Sequence, residues 1–150
     1  MMELLADDLG LLPVFLGYWL CSFGLVGAFA LLYLYWTPYH ELALIREGNV
    51  AAACGLGGAI LGFIAAVSFV VANSAELHEL LFWGAIAGVV QLLGYSIVRV
   101  VIPNLPDAIA DNNLAHGVFL GLVSFGLGIL TGASMRSEEH TSELQSRGLI

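Results

Sequence analysis

The chain has 150 residues, 59% of them apolar and only 11% charged, with a formal net charge of −8 and no lysine. A water-soluble domain carries about a quarter charged residues, because it must cover itself with side chains that water solvates. The acidic balance also excludes a nucleic-acid binder, which needs basic patches; the expected partner is a lipid bilayer.

A helix needs about 20 apolar residues to cross a hydrocarbon layer roughly 30 Å thick. Four stretches qualify: Leu11–Trp36, Val50–Ala72, Leu80–Ile102 and Leu114–Met135. None has the polar face that a helix on a soluble core would show. The chain opens with Glu3, Asp7 and Asp8, whereas a cleavable secretion signal opens with positive charge, so the first segment is expected to stay as a helix.

Helix one is predicted to start near Pro13, where a missing N–H costs nothing. Its far end, Tyr33, Tyr35, Trp36 and Tyr39, reads as an aromatic belt at one membrane surface. Pro38 forces an extended step. His40–Glu47 alternates polar and apolar residues, as suits a short interfacial helix. Gly48 can end it, and Asn49 can cap helix two. Asn73–Glu76 is a tight turn into helix three. Pro103 and Pro106 break helix three, Asp107–Asp111 matches the first short segment, and Asn113 is expected to cap helix four.

The pattern is written twice. Asn49, Ala51, Gly57 and Gly62 recur at the same spacing as Asn113, Ala115, Gly121 and Gly126, each set following an apolar segment that stops at a proline. The predicted fold is an all-α membrane protein: four transmembrane helices from a parallel tandem repeat of a two-helix hairpin, repeat one about 11–72 and repeat two about 77–135. Two spans per repeat make both copies enter the membrane in the same direction. Arg46 and Arg99 fall on one side, expected to be cytoplasmic, with both termini periplasmic.

After Met135 the composition changes sharply. Arg136 to Arg147 resembles one translated reading frame of a common short-read sequencing adapter. Residues 136–150 are therefore set aside as an artefact, expected to be disordered, and the fold is expected to end near Met135.

Small residues four apart recur at Gly58 and Gly62, Gly84 and Gly88, Gly117 and Gly121, and Gly128 and Gly132. With Gly57 and Gly126 they are candidates for close helix packing, since lipid gives helices no hydrophobic drive to associate; a thin wall beside a pore is the sharper alternative. Asn49 and Asn113 either cap their helices or present two positive helix ends to an anion or polar head group. Glu47 and Asp111, two residues before each, can satisfy those N–H groups instead. Arg99 snorkels to the surface or pairs with Glu41, Glu47, Asp107 or Asp111. Gln91 can hydrogen-bond across the bundle. The histidines lack zinc-helix spacing, the two cysteines sit in apolar segments, and neither a nucleophile elbow nor a phosphate loop occurs. The sequence therefore predicts no metal, no cofactor and no enzyme.

Thr37–Glu41 and Ile45–Ala52 resemble the first loop of the YjfL-like inner-membrane family, which carries the domain of unknown function numbered 350. The likeness continues through Gly84, Gln91-Leu92-Leu93, Val98-Arg99, Pro103 and Asn112–Gly117, and covers residues 11–135. His116 stands where close relatives are expected to have a small residue. The resemblance implies a bacterial inner-membrane protein with four helices and brings no catalytic mechanism. Members are often encoded beside phage-shock-A-like and ATP-grasp proteins, which implies a setting in envelope stress. The expected function is a non-enzymatic anchor or organiser for cytoplasmic partners, working as a homo-oligomer or with other membrane or peripheral proteins. The alternative is a small oligomeric channel or transporter for an ion or small polar solute.

Overall fold

The computed structural model describes the backbone of residues 1–149 and the side chains of residues 1, 7–135 and 143–149. Its six helices are α1 (Met2–Trp36), α2 (Glu41–Arg46), α3 (Val50–Asn73), α4 (Leu77–Val101), α5 (Leu105–Ala110) and α6 (Leu114–Ser146). Four of them, α1, α3, α4 and α6, are long and apolar enough to cross a membrane. The chain is an all-helical membrane protein.

Two helix ends differ from expectation. Helix α1 begins at Met2 and runs through Pro13. Proline there, three turns into the helix, removes the backbone hydrogen bond to the Leu9 carbonyl, a break that membrane helices tolerate when surrounding groups re-satisfy the backbone. Helix α6 does not stop at Met135 but continues to Ser146, where disorder was expected. The continuation holds Glu, Gln and Leu, which favour helix, and no proline or glycine interrupts it before Gly148. Pro106 likewise does not act as a breaker: it sits in the first turn of α5, where proline is tolerated.

The tightest packing lies between α3 and α6. A side chain added at Gly117 would collide with the backbone of Ala51, one at Gly58 with Gly121, and one at Gly128 with Gly62. The contacts climb both helices together, so α3 and α6 run in the same direction with backbone against backbone. Cα–H···O contacts and dispersion supply the attraction at such a seam. Gly62 also leaves room for the Gln91 side chain. Gly84 accommodates Leu25 of α1, and Gly88 lies in ordinary contact with Phe29 and Phe63. Gly57 and Gly126 do not pack: nothing stands within 4 Å of where their Cβ would be. The reason is rotational, since one residue more or less turns a position by about 100° around the helix axis.

Helix α1 is the outlying member. It buries the smallest share of its residues and α3 the largest. A cleft of about 440 Å³ separates α1 from α3, between Phe15, Trp19 and Phe23 on one side and Ile64, Val67 and Val71 on the other.

At one end of the bundle, α2 and α5 lie beside the starts of α3 and α6. They have equal length, and the offset that carries Asn49 onto Asn113 carries Glu41–Arg46 onto Leu105–Ala110. Thr37 is extended, as the following proline requires, and Gly48 takes a φ of +88° that favours glycine.

Candidate functional site

The end of the bundle that holds α2 and α5 is pinned by two asparagines. Asn49 caps α3, its Oδ1 accepting from the Ala52 N–H at 2.8 Å. Its amide donates 2.7 Å to the Ile109 carbonyl and 3.2 Å to the Ala110 carbonyl, the last residues of α5. One buried side chain thus starts a helix and holds the other loop. Asn112 completes the latch. It adopts a φ of +58°, a conformation that asparagine tolerates better than most residues. Its Oδ1 accepts from the Ala51 N–H at 3.1 Å.

This arrangement corrects the expected symmetry. Asn113 is exposed and makes no side-chain cap on α6; the neighbouring Asn112 turns back to α3 instead. With Ala51 and Ala52 supplied from within the protein, the start of α3 has few free N–H groups to offer an anion. Glu47 and Asp111 do not serve as N-caps. They close α2 and α5 and stay exposed.

Arg99 is exposed near the end of α4, in a shallow groove with Tyr35, Trp36, Ser96 and Pro103. Trp36 Nε1 donates to Ser96 Oγ at 3.2 Å beside it. Among the described residues, Arg99 forms no ion pair with Glu41, Glu47, Asp107 or Asp111; on the far turn His78 Nδ1 lies 3.0 Å from a Glu76 carboxylate oxygen. Gln91 is 1% exposed at mid-span and donates to the Ser124 carbonyl of α6 at 3.0 Å.

The polar feature that sequence reasoning missed lies beneath α2. Glu41 is 1% exposed, Tyr33 0%, Tyr95 1% and Tyr39 9%. The expected aromatic belt is therefore split. Tyr35 and Trp36 face outward, while Tyr33 and Tyr39 turn into the core. The Glu41 N–H bonds to the Tyr39 carbonyl at 2.9 Å, a tight turn that sets the two side chains together. Tyr33 of α1 meets Tyr95 of α4 edge to face at 5.5 Å. The Tyr39 hydroxyl lies within electrostatic reach of Glu41, Tyr33 and Tyr95. Both Glu41 oxygens and all three tyrosine hydroxyls lack a hydrogen-bond partner of good geometry in the protein.

Burial raises the Glu41 carboxyl to about 8, and the nearby Tyr39 hydroxyl offsets part of that rise without reaching hydrogen-bond geometry. Burial, then the Glu41 charge, pushes the Tyr39 phenol far above its ordinary value. The missed signal was the offset itself: Glu41 stands where the second half of the chain has Leu105, a fully buried position.

The family model described as "Domain of Unknown Function (DUF350)" matches residues 5–135. The chain is 33% identical to the UPF0719 inner membrane protein YjfL of Escherichia coli strain K12 over 124 residues, 83% of this chain and 94% of the relative. It is 28% identical to the UPF0719 transmembrane protein YshE of Bacillus subtilis strain 168 over 101 residues, 66% of this chain and 75% of the relative. No solved structure matches the chain.

Proposed function

We propose, from the premise that this chain belongs to the DUF350 family, that it is a multi-pass protein of the bacterial inner membrane that anchors or organises cytoplasmic partners and performs no catalysis. The name of the YjfL relative supports the inner-membrane setting, and that of the YshE relative a transmembrane one. The common offset of α2 and α5 supports an origin as a parallel tandem repeat of a helical hairpin. Arg46 and Arg99 lie at the end that holds α2 and α5. With residues 136–150 set aside, both arginines fall at that end, which favours it as cytoplasmic, with both termini periplasmic.

One observation carries the anchoring reading. The α2–α5 end is held rigid by Asn49 and Asn112, yet Arg46, Glu47, Asp107 and Asp111 on it are exposed and, among the described residues, enter no ion pair. A fixed surface with unspent charge suits recognition of peripheral proteins, because its groups lose little freedom on binding. An envelope-stress setting for such partners rests on the gene neighbours that the family resemblance implies. Self-association belongs to the same reading. The outer face of the α3–α6 pair presents Cys54, Gly57, Leu61, Val118, Leu122 and Phe125, an apolar surface with a glycine that admits a neighbouring helix.

A small oligomeric channel or transporter is the competing reading, favoured by the buried polar groups from Gln91 to Tyr95 and Glu41. Two experiments separate the readings. Reporter fusions at Gly48 and Asn112 should both report the cytoplasm, and a photo-crosslinker at position 46 in native membranes should trap a defined peripheral protein that Asp107→Lys and Asp111→Lys release. Ion flux through liposomes that is lost in the Asn49→Ala/Asn113→Ala double variant, with no crosslinked partner, would establish the channel instead.

A further inference from the structure

The cluster beneath α2 has features that folding alone does not require. Glu41 and Leu105 stand at matched positions, both buried, and the leucine shows that an apolar side chain suffices to seat such a short helix. A buried carboxyl is costly unless it is paired or neutral. Here no buried cation accompanies it among the described residues, and Arg46, Arg99 and His40 are exposed.

We propose that Glu41 is a proton-binding site at the cytoplasmic end of the bundle, and that release of its proton loosens the seat of α2. The ligand is the proton itself. The Tyr33, Tyr39 and Tyr95 phenols all lie within electrostatic reach of the carboxyl, and phenol hydroxyls can both donate to and accept from a neutral acid. The groups that bear on its titration come from each packed element: Tyr33 of α1, Tyr39 of the linking turn, and Tyr95 of α4, with Arg99 in electrostatic reach of Tyr95. Helix α2 itself adds exposed Arg46 and the adjacent Glu47 and His40. Helix α3, on which α2 packs, carries no acidic or basic side chain, and its titratable group is the Cys54 thiol.

The direction of the switch follows from linkage. Docked α2 keeps a proton that an exposed carboxyl would lose near 4.5, and gives it up only near 8. Docking is therefore strongest below 4.5, weakens as pH rises to about 8, and weakens no further above that. The released proton passes to the cytoplasmic water beside α2, and the bare carboxylate then draws solvent or moves out to reach it.

The test is an infrared titration of the full chain in lipid, following the carbonyl band of protonated carboxylic acid from about pH 5 to about pH 10. A band that disappears with a midpoint near 8 in the natural chain and is missing in Glu41→Gln supports the site. Hydrogen exchange of the α2 amides, taken as a ratio to Glu41→Leu at each pH, should rise at least about tenfold across the same interval. A Glu41 band that is already gone below about pH 6 overturns the proposal, as does an exchange ratio that stays flat. A midpoint that moves with sodium or potassium concentration overturns it in favour of a metal-cation site. The natural chain alone decides the midpoint should either variant fail to fold.

Discussion

Positions that the sequence pairs at one offset lead different lives in the two halves of the chain. Asn49 is buried and makes three hydrogen bonds, whereas Asn113 is exposed and caps nothing. Glu41 hides a carboxyl where Leu105 hides a methyl-rich side chain. Gly121 presses on the backbone of Cys54 while its counterpart Gly57 faces open space, and Gly62 is packed while Gly126 is not. A shared pattern fixes where a residue falls along its helix. Which way it faces, and what it meets, depends on which neighbour arrives there.

The glycine pairs should give the largest contrast. Gly121→Val and Gly62→Val force α3 and α6 apart and should cost about 3 kcal/mol or more, while Gly57→Val and Gly126→Val should leave the isolated chain within about 0.5 kcal/mol of the original. Reversible unfolding in mild detergent measures both. Loss of self-association in Gly57→Val with the fold intact would assign the outer α3–α6 face to an interface between copies. Next comes the asparagine pair. Asn49→Ala removes a cap and the side-chain donor to the end of α5, where the Ile109 carbonyl keeps the Asn112 N–H, at a cost of about 1–2 kcal/mol, against less than about 0.5 kcal/mol for Asn113→Ala. Equal losses would restore the symmetry that the structure lacks. Asn112→Ala should cost about 1 kcal/mol, through the lost bond to Ala51 and the strained φ.

The buried carboxyl gives an effect of distinctive shape. Unfolding stability of the natural chain should fall as pH rises from 4.5 to about 8, because the folded protein holds a proton that the unfolded one has lost. The Glu41→Leu variant should lose that slope. Arg99→Gln should change stability least, by under about 0.5 kcal/mol, since the side chain is exposed and unpaired among the described residues.

The lipid-spanning architecture was legible in the sequence, because hydropathy over about twenty residues is a property of the segment alone. Asn49 was legible as a cap for the same reason: the cap is made three residues away, to Ala52. Its second role was not, because Ile109 lies sixty residues on. By sequence alone Tyr33 and Tyr39 belong to one belt with Tyr35 and Trp36. Around a helix end, residues two apart point in different directions, and only the arrival of Tyr95 from α4 decides which face becomes interior. By sequence alone Glu41 is one polar tooth of an interfacial helix. Six residues are too few for a periodic pattern to show which side is buried.

The seam between α3 and α6 also sets how the protein meets membranes of different thickness. A contact made of main chain has no rotamers with which to adjust, so the pair must answer a thicker or thinner bilayer as one stiff plank, by leaning. Along Phe15 to Phe23 a greasy gap parts helix α1 from α3, so that half can take a different slope while Phe29 and Tyr33 keep the other half seated near the Asn49 latch.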